Sequence, residues 1–172
     1  MDNFYEHHVL HSLAIATQFD LTKDTEVMDL GCGGGFPGIP MAIFFPDTHF
    51  HLVDSINKKL KVVAEIAAAI GLKNISTQHC RAEDITDRKF DLVISRAVAP
   101  LKDLLHWSKP LLRKKKSASG TTAVVNGLIC LKGGDLAQEI SESGSKPLIW
   151  EIEKLFPEPF FKDKYLLYVP LK

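Results

Sequence analysis

The chain has 172 residues, enough for one domain with a buried core that needs no cross-links. Apolar residues make up 45% and charged residues 24%, which excludes disorder, a collagen-like repeat and a disulfide scaffold. Lys and Arg number 21 against 21 Asp and Glu, so bulk charge gives no support to non-specific nucleic-acid binding, although a local basic face stays open. Cys32, Cys80 and Cys130 lie far apart with no metal-ligand spacing and read as free thiols of a reducing compartment. No run of eighteen apolar residues and no signal-peptide pattern occur, so a soluble cytoplasmic protein without membrane or metal partners is expected.

In chain order, Phe4 to Phe19 carries Tyr5, Val9, Leu13 and Ala16 at helical spacing, and a polar loop follows from Asp20 to Asp24. Glu26 to Leu30 predicts a first strand that runs into Gly31-Cys32-Gly33-Gly34-Gly35-Phe36-Pro37-Gly38. A helix is expected from Ile39 to Phe45, with Pro40 tolerated in its first turn, and Pro46 and Asp47 stop it. His49 to Val53 is a second strand ending at Asp54, and Lys58 to Ile70 a helix closed by Gly71. Ile75 to His79 and Phe90 to Ser95 are the third and fourth strands, followed by a helix from Pro100 to Leu112 and a polar loop from Arg113 to Gly120. Ala123 to Leu131 reads as a fifth strand, its start blurred by a possible Asn126-Gly127 turn, and Leu136 to Glu142 as a helix. Leu148 to Ile152 and Tyr165 to Val169 are expected to pair antiparallel at one sheet edge. This alternation predicts a single α/β domain with a mostly parallel sheet and helices on both faces.

The glycine cluster between a strand and a helix lets backbone approach a ligand closely. Gly33, Gly35 and Gly38 satisfy G-x-G-x-x-G, and Asp54 follows at a dinucleotide-fold distance. The same stretch reads Asp29-x-Gly31-x-Gly33-x-Gly35, the pattern of S-adenosylmethionine (AdoMet) methyltransferases. Pro37 and Pro40 remove amide donors that a pyrophosphate needs, whereas a carboxylate such as Asp29 suits the cationic amino and sulfonium groups of AdoMet. Asp54 fits the ribose hydroxyls of either ligand. Arg81-Ala82-Glu83-Asp84, after the third strand, borders the place of an adenine, where an amide and a carboxylate can read the ring; the plainer reading is a solvated loop.

Val27 to Pro40, Arg81-Ala82-Glu83, Phe90 to Ala97 with its Ser95-Arg96-Ala97, and Lys132-Gly133 together resemble the signature of the GidB-like (RsmG) methyltransferases. His8-Val9-Leu10-His11-Ser12-Leu13 resembles that family's H-x-x-D-S-L, with His11 in place of the acid. The similarity runs from His8 to Gln138 and is thin beyond. It implies a Rossmann-like, seven-strand-type AdoMet-dependent methyltransferase acting on N7 of one guanine in small-subunit rRNA, in the assembled subunit or its precursor. It also implies cofactor contacts from Gly31, Phe36, Ala82, Glu83 and Arg96, to which the glycine-loop reading adds Gly33, Gly35 and Asp54. By comparison with the family, Met1 opens inside the first conserved helix, so residues 1–20 are expected to be the remnant of a longer N-terminal segment. Arg113 to Gly120 looks longer and more polar than the family pattern, with no functional account.

The chemistry agrees with what the chain lacks. No D/N-P-P-Y/F follows strand four, which disfavours amine methylation, and no Pro-Cys supplies a nucleophile for pyrimidine C5. Guanine N7 needs neither, because its lone pair is free at neutral pH and positioning supplies the rate. Arg96, at the carboxyl end of strand four, could hold the AdoMet carboxylate or donate to guanine O6, against a structural ion pair as its plainer role. Lys132 leaves ribose 2′-O methylation open as the nearest competitor. A small-molecule methyltransferase and a non-catalytic AdoMet-binding, ribosome-associated module are the further alternatives; a monomer is expected.

Other features read more plainly. His7, His8 and His11 are taken as surface or packing histidines rather than metal ligands. Arg113-Lys114-Lys115-Lys116 is expected at the edge opposite the ligand crevice, whereas Lys58, Lys59 and Lys61 lie nearer to it. Trp107 and Trp150 are expected in the core rather than as stacking platforms.

Overall fold

The computed structural model describes residues 3–114 and 126–171. Seven strands form one sheet: β1 (Glu26–Leu30), β2 (His49–Asp54), β3 (Ile75–His79), β4 (Leu92–Arg96), β5 (Gly127–Gly133), β6 (Leu148–Glu151) and β7 (Lys164–Pro170). Their order is β3-β2-β1-β4-β5-β7-β6. The first five are parallel, and β7 pairs antiparallel with both β5 and β6, as the two C-terminal apolar runs predict. Helices α2 (Gly38–Phe44), α3 (Asn57–Ala69), α4 (Leu101–Ser108) and α5 (Ala137–Ser143) connect them. The N-terminal segment is helical throughout: a wide turn over Tyr5–Leu10, α1 (His11–Leu13) and a tight turn over Ile15–Thr17.

Side chains alternate across the pleat, and the core divides accordingly. Ile129 and Leu131 of β5 join one apolar layer with Ile39 and Met41 of α2, Leu60 and Val63 of α3, and Ile15. Leu128 and Cys130 face the other layer with Leu101, Leu104 and Leu105 of α4. Both faces of the central strands are therefore covered, which explains their nearly unbroken apolar runs.

Several boundaries differ from the sequence expectation for local reasons. β4 begins at Leu92 rather than Phe90; just before it the Asp91 N–H donates to the Glu26 carbonyl, while the Asp91 carboxylate accepts the Glu26 N–H at 2.9 Å and pairs with Arg113 at 2.8 Å. Phe90 keeps only an isolated bridge to Leu112. The helix expected to reach Leu112 ends at Ser108 and tightens over Lys109–Leu111, since Pro110 has no N–H to continue it. β5 starts at Gly127, after the Asn126 side chain donates to the Arg113 carbonyl at 2.7 Å. Ala123 to Val125, expected as the start of that strand, and Lys115 to Gly120 of the polar loop lie outside the described residues.

The chain order reverses about β1, whose neighbours β2 and β4 carry the connections to opposite sides. A crevice opens at the carboxyl ends of these strands, where open α/β sheets bind ligands.

Candidate active site

The glycine loop closes the carboxyl end of β1. Gly31, at φ +70°, and Gly35, at φ +96°, adopt left-handed backbone. A Cβ on Gly31 would fall 2.6 Å from Val98, and one on Gly35 would fall 2.4 Å from Ile39. Gly31 thus lets the β4–α4 turn approach the loop, and Gly35 lets α2 close beneath it. Gly33 meets nothing within 4 Å and faces open space.

Asp29 works behind this loop. It is fully buried, its Oδ2 accepts the Gly38 N–H at 2.7 Å, and its Oδ1 has no hydrogen-bond partner among the described residues. Burial raises its pKa to about 7, against the opposing pull of the Gly38 N–H and Arg96. The carboxylate expected beside the cofactor cations is therefore a loop anchor. It also occupies the first N–H of α2, a donor that a pyrophosphate at that helix end would need, which disfavours a dinucleotide.

A cavity of about 560 Å³ lies over the loop, a volume suited to a cofactor-sized ligand. Gly31, Gly33 and Phe36 form its floor, Asp54 its β2 side, Ala82 and Glu83 its β3 side, and Arg96 its β4 side. Of the residues predicted from sequence, only Gly35 is not part of the lining; it is buried under the loop. Asp54 is fixed by the Gly33 N–H on Oδ2 and the Ile56 N–H on Oδ1, each at 2.9 Å. Each oxygen keeps acceptor capacity for a further hydroxyl. Trp107 also borders the cavity, which corrects its assignment to the core alone; it is half-buried against the α4 layer. The contact could not be read from sequence, because it depends on α4 packing beside the Ala82–Asp84 turn. Trp150 packs at a ring distance of 5.9 Å on Phe19. Lys59 reaches the cavity wall; Lys58 and Lys61 do not.

Arg96 ends β4 and is gripped by the N-terminal helical segment. Its guanidinium donates to the His7 carbonyl at 3.1 Å, lies 3.0 Å from His8 Nδ1, and sits 5.2 Å over the Phe36 ring. Those contacts engage two of its five N–H donors. Burial lowers its pKa and the nearby Asp29 raises it, so Arg96 is a cation positioned by packing rather than by a direct ion pair. Ala97, next in the chain, takes φ +51° and turns the backbone sharply away from the strand.

A second cavity, of about 450 Å³, begins on the other side of this turn and shares Arg96, Ala97 and Val98 with the first. Lys132, Glu139, Lys164 and His11 stand around it. Lys132 pairs with Glu139 Oε1 at 2.6 Å and donates to the Ala99 carbonyl. His11 packs edge-on to Phe160 and Phe161, and burial, with the Arg96 and Lys164 charges, lowers its pKa to about 4. His7 stacks on Phe160 at 3.8 Å. His7 and His11 are thus packing residues, and His8 is a partner of Arg96; among the described residues no group of three His, Cys, Asp or Glu could hold a metal.

The first cavity fits AdoMet by the chemistry of its walls. Asp54 offers acceptors suited to a diol, Ala82 and Glu83 line the β3 side, and the open face of Gly33 leaves room for backbone contact.

Comparison with known proteins agrees. The family model described as rRNA small subunit methyltransferase G matches residues 1–162. A relative of that description from Phocaeicola vulgatus is 55% identical over 169 residues, covering 98% of this chain and 78% of the relative. One from Bacteroides thetaiotaomicron is 51% identical over 168 residues, covering 98% and 79%. Among solved structures, a SAM-dependent methyltransferase from Aquifex aeolicus superposes with a TM-score of 0.68 at 13% identity, covering 98% of this chain and 93% of that one. The fibrillarin/Nop5p complex gives 0.68 at 13% identity, covering 95% and 80%. At such identities the structural likeness is one of fold. The chain has the Rossmann-like fold of the AdoMet-dependent methyltransferases and belongs to the rRNA small subunit methyltransferase G family.

Proposed function

We propose that the protein is an AdoMet-dependent methyltransferase that modifies N7 of a guanine in small-subunit rRNA, acting as a monomer on the assembled subunit or its precursor in the cytoplasm. The observation that carries this reading is the meeting of two cavities at the Arg96–Val98 turn, one with walls suited to AdoMet and one beside it for an acceptor. Bound AdoMet would supply an electrophilic methyl for the N7 lone pair, with S-adenosylhomocysteine as the leaving group.

The chain's own residues bind and orient. Asp54 receives the ribose hydroxyls, Ala82 and Glu83 border the adenine, and Gly31 and Gly33 keep the loop close to the ligand. Arg96, with three N–H donors beyond its contacts to His7 and His8, points its charge at the cofactor carboxylate or at guanine O6. Phe36 and Trp107 cover apolar parts of the ligand and exclude water. N7 carries no proton, so no side chain need act as a base. Ribose 2′-O transfer would need one, and Lys132 is already engaged with the Glu139 carboxylate and the Ala99 carbonyl.

The test is methyl transfer from labelled AdoMet to small subunits isolated from cells lacking the modification, mapped by chain cleavage at N7-methylguanine. A single cleaved guanine is expected, with Arg96→Ala lowering kcat/KM at least about tenfold. Label on ribose, resistant to that cleavage, would contradict the reading.

A further inference from the structure

The second cavity is polar in a specific way. Arg96, Lys132 and Lys164 bring three cations, and Glu139 one carboxylate, to a chamber of about 450 Å³. His11, which also faces it, is kept neutral at physiological pH by burial among Phe160 and Phe161 and by the neighbouring cations. The surplus of positive charge suits a phosphodiester, and Lys164 supplies it from the β7 side, 5.4 Å over the Phe160 ring.

Glu139 adjoins the turn shared with the cofactor cavity, linked to the Ala99 carbonyl through Lys132. Its Oε1 takes both the Lys132 ammonium and the Leu101 N–H, each at 2.6 Å. Oε2 carries no hydrogen bond among the described residues. A guanine whose N7 and O6 address the Arg96 turn carries N1–H and the exocyclic amine next to O6, on its Watson–Crick edge. Both are donors, and a carboxylate is the acceptor that matches them.

We propose that this second cavity seats the target guanine nucleotide, with Glu139 accepting hydrogen bonds from N1–H and the exocyclic amine, Lys132 holding that carboxylate in place, and Lys164 meeting the phosphate. This rests on the guanine-N7 reading above. It makes Glu139 the residue that reads the base, while Arg96 and the glycine loop fix the methyl donor.

The experiment uses the full chain and small subunits reassembled around rRNA ligated to carry either guanosine or inosine at the target position. Inosine lacks only the exocyclic amine. Wild-type kcat/KM is expected to fall about tenfold to a hundredfold on inosine, the cost of one missing hydrogen bond to a charged acceptor. Glu139→Gln keeps an acceptor for the Leu101 N–H; it should lower kcat/KM on guanosine, bring the guanosine-to-inosine ratio toward one, and leave AdoMet affinity unchanged. Both proteins meet the same intrinsic base reactivity, so the change in ratio isolates the contact. A wild-type ratio near one overturns the proposal without any variant, and an unchanged ratio in Glu139→Gln assigns the reading to another residue and overturns it too. Absence of label at guanine N7 in guanosine subunits overturns the acceptor reading itself, and this proposal with it.

Discussion

Asp29 and His11 are buried ionisable groups whose shifts act in opposite directions over the same pH range. The folded Asp29 keeps its proton to about pH 7, while the unfolded chain releases it near pH 3.8, so its contribution falls as pH rises between them. The folded His11 stays neutral down to about pH 4, while the unfolded chain takes up a proton below 6.5, so stability is lost as pH falls through that window. Each slope is about 1.4 kcal/mol per pH unit at most, and the two largely offset. Asp29→Asn keeps a carbonyl oxygen for the Gly38 N–H and removes only the first slope. Its unfolding free energy should therefore climb with pH from about 4.5 to 6.5 more steeply than the wild type's, by on the order of 2 kcal/mol over that range. Urea titrations across that range check this; parallel profiles would show that Asp29 does not titrate as its burial implies.

At the scale of elements, one side chain ties α2 to the sheet. Asn74 Nδ2 lies 2.9 Å from the Ala42 carbonyl, 3.1 Å from that of Phe45 and 2.9 Å from that of Thr48, satisfying the end of α2 and the turn into β2. Asn74→Ala should cost about 1–3 kcal/mol in urea unfolding, and Asn74→Asp more, because a carboxylate would face three carbonyl oxygens. A neutral Asn74→Asp would remove this role. Most strands were legible because apolar runs bounded by Gly, Pro and Asp survive any topology, and the antiparallel β6–β7 pair follows from the two C-terminal runs; Ile75–His79 coincides with β3 although only Ile75 in it is apolar. The glycine loop, Asp54, Ala82, Glu83 and Arg96 were legible because all sit at carboxyl ends of parallel strands, where the fold itself collects them. Asp29 was misread because its carboxylate turns inward to Gly38, a contact made only when α2 packs. Trp107 and Glu139 were missed for a similar reason: each lies on a helix, and strand order decides what it faces.

The whole molecule separates its two edges. The carboxyl edge carries both cavities and the Arg96 turn. The opposite edge gathers Glu26, Arg88, Asp91 and Arg113 into exposed and half-buried ion pairs of 2.8 and 3.2 Å. Arg113, the first residue of the basic run, lies at that far edge as its place between α4 and β5 requires; Lys115 and Lys116 fall outside the described residues. The account stands on the identity of the ligand in the carboxyl-edge cavity, and calorimetric titration of AdoMet and of NAD tests it most directly. One AdoMet per chain should bind, Asp54→Ala should weaken it at least about tenfold through the lost diol contact, and NAD should give no heat. Binding of NAD in preference to AdoMet, or AdoMet affinity untouched by Asp54→Ala, would contradict the assignment of this cavity.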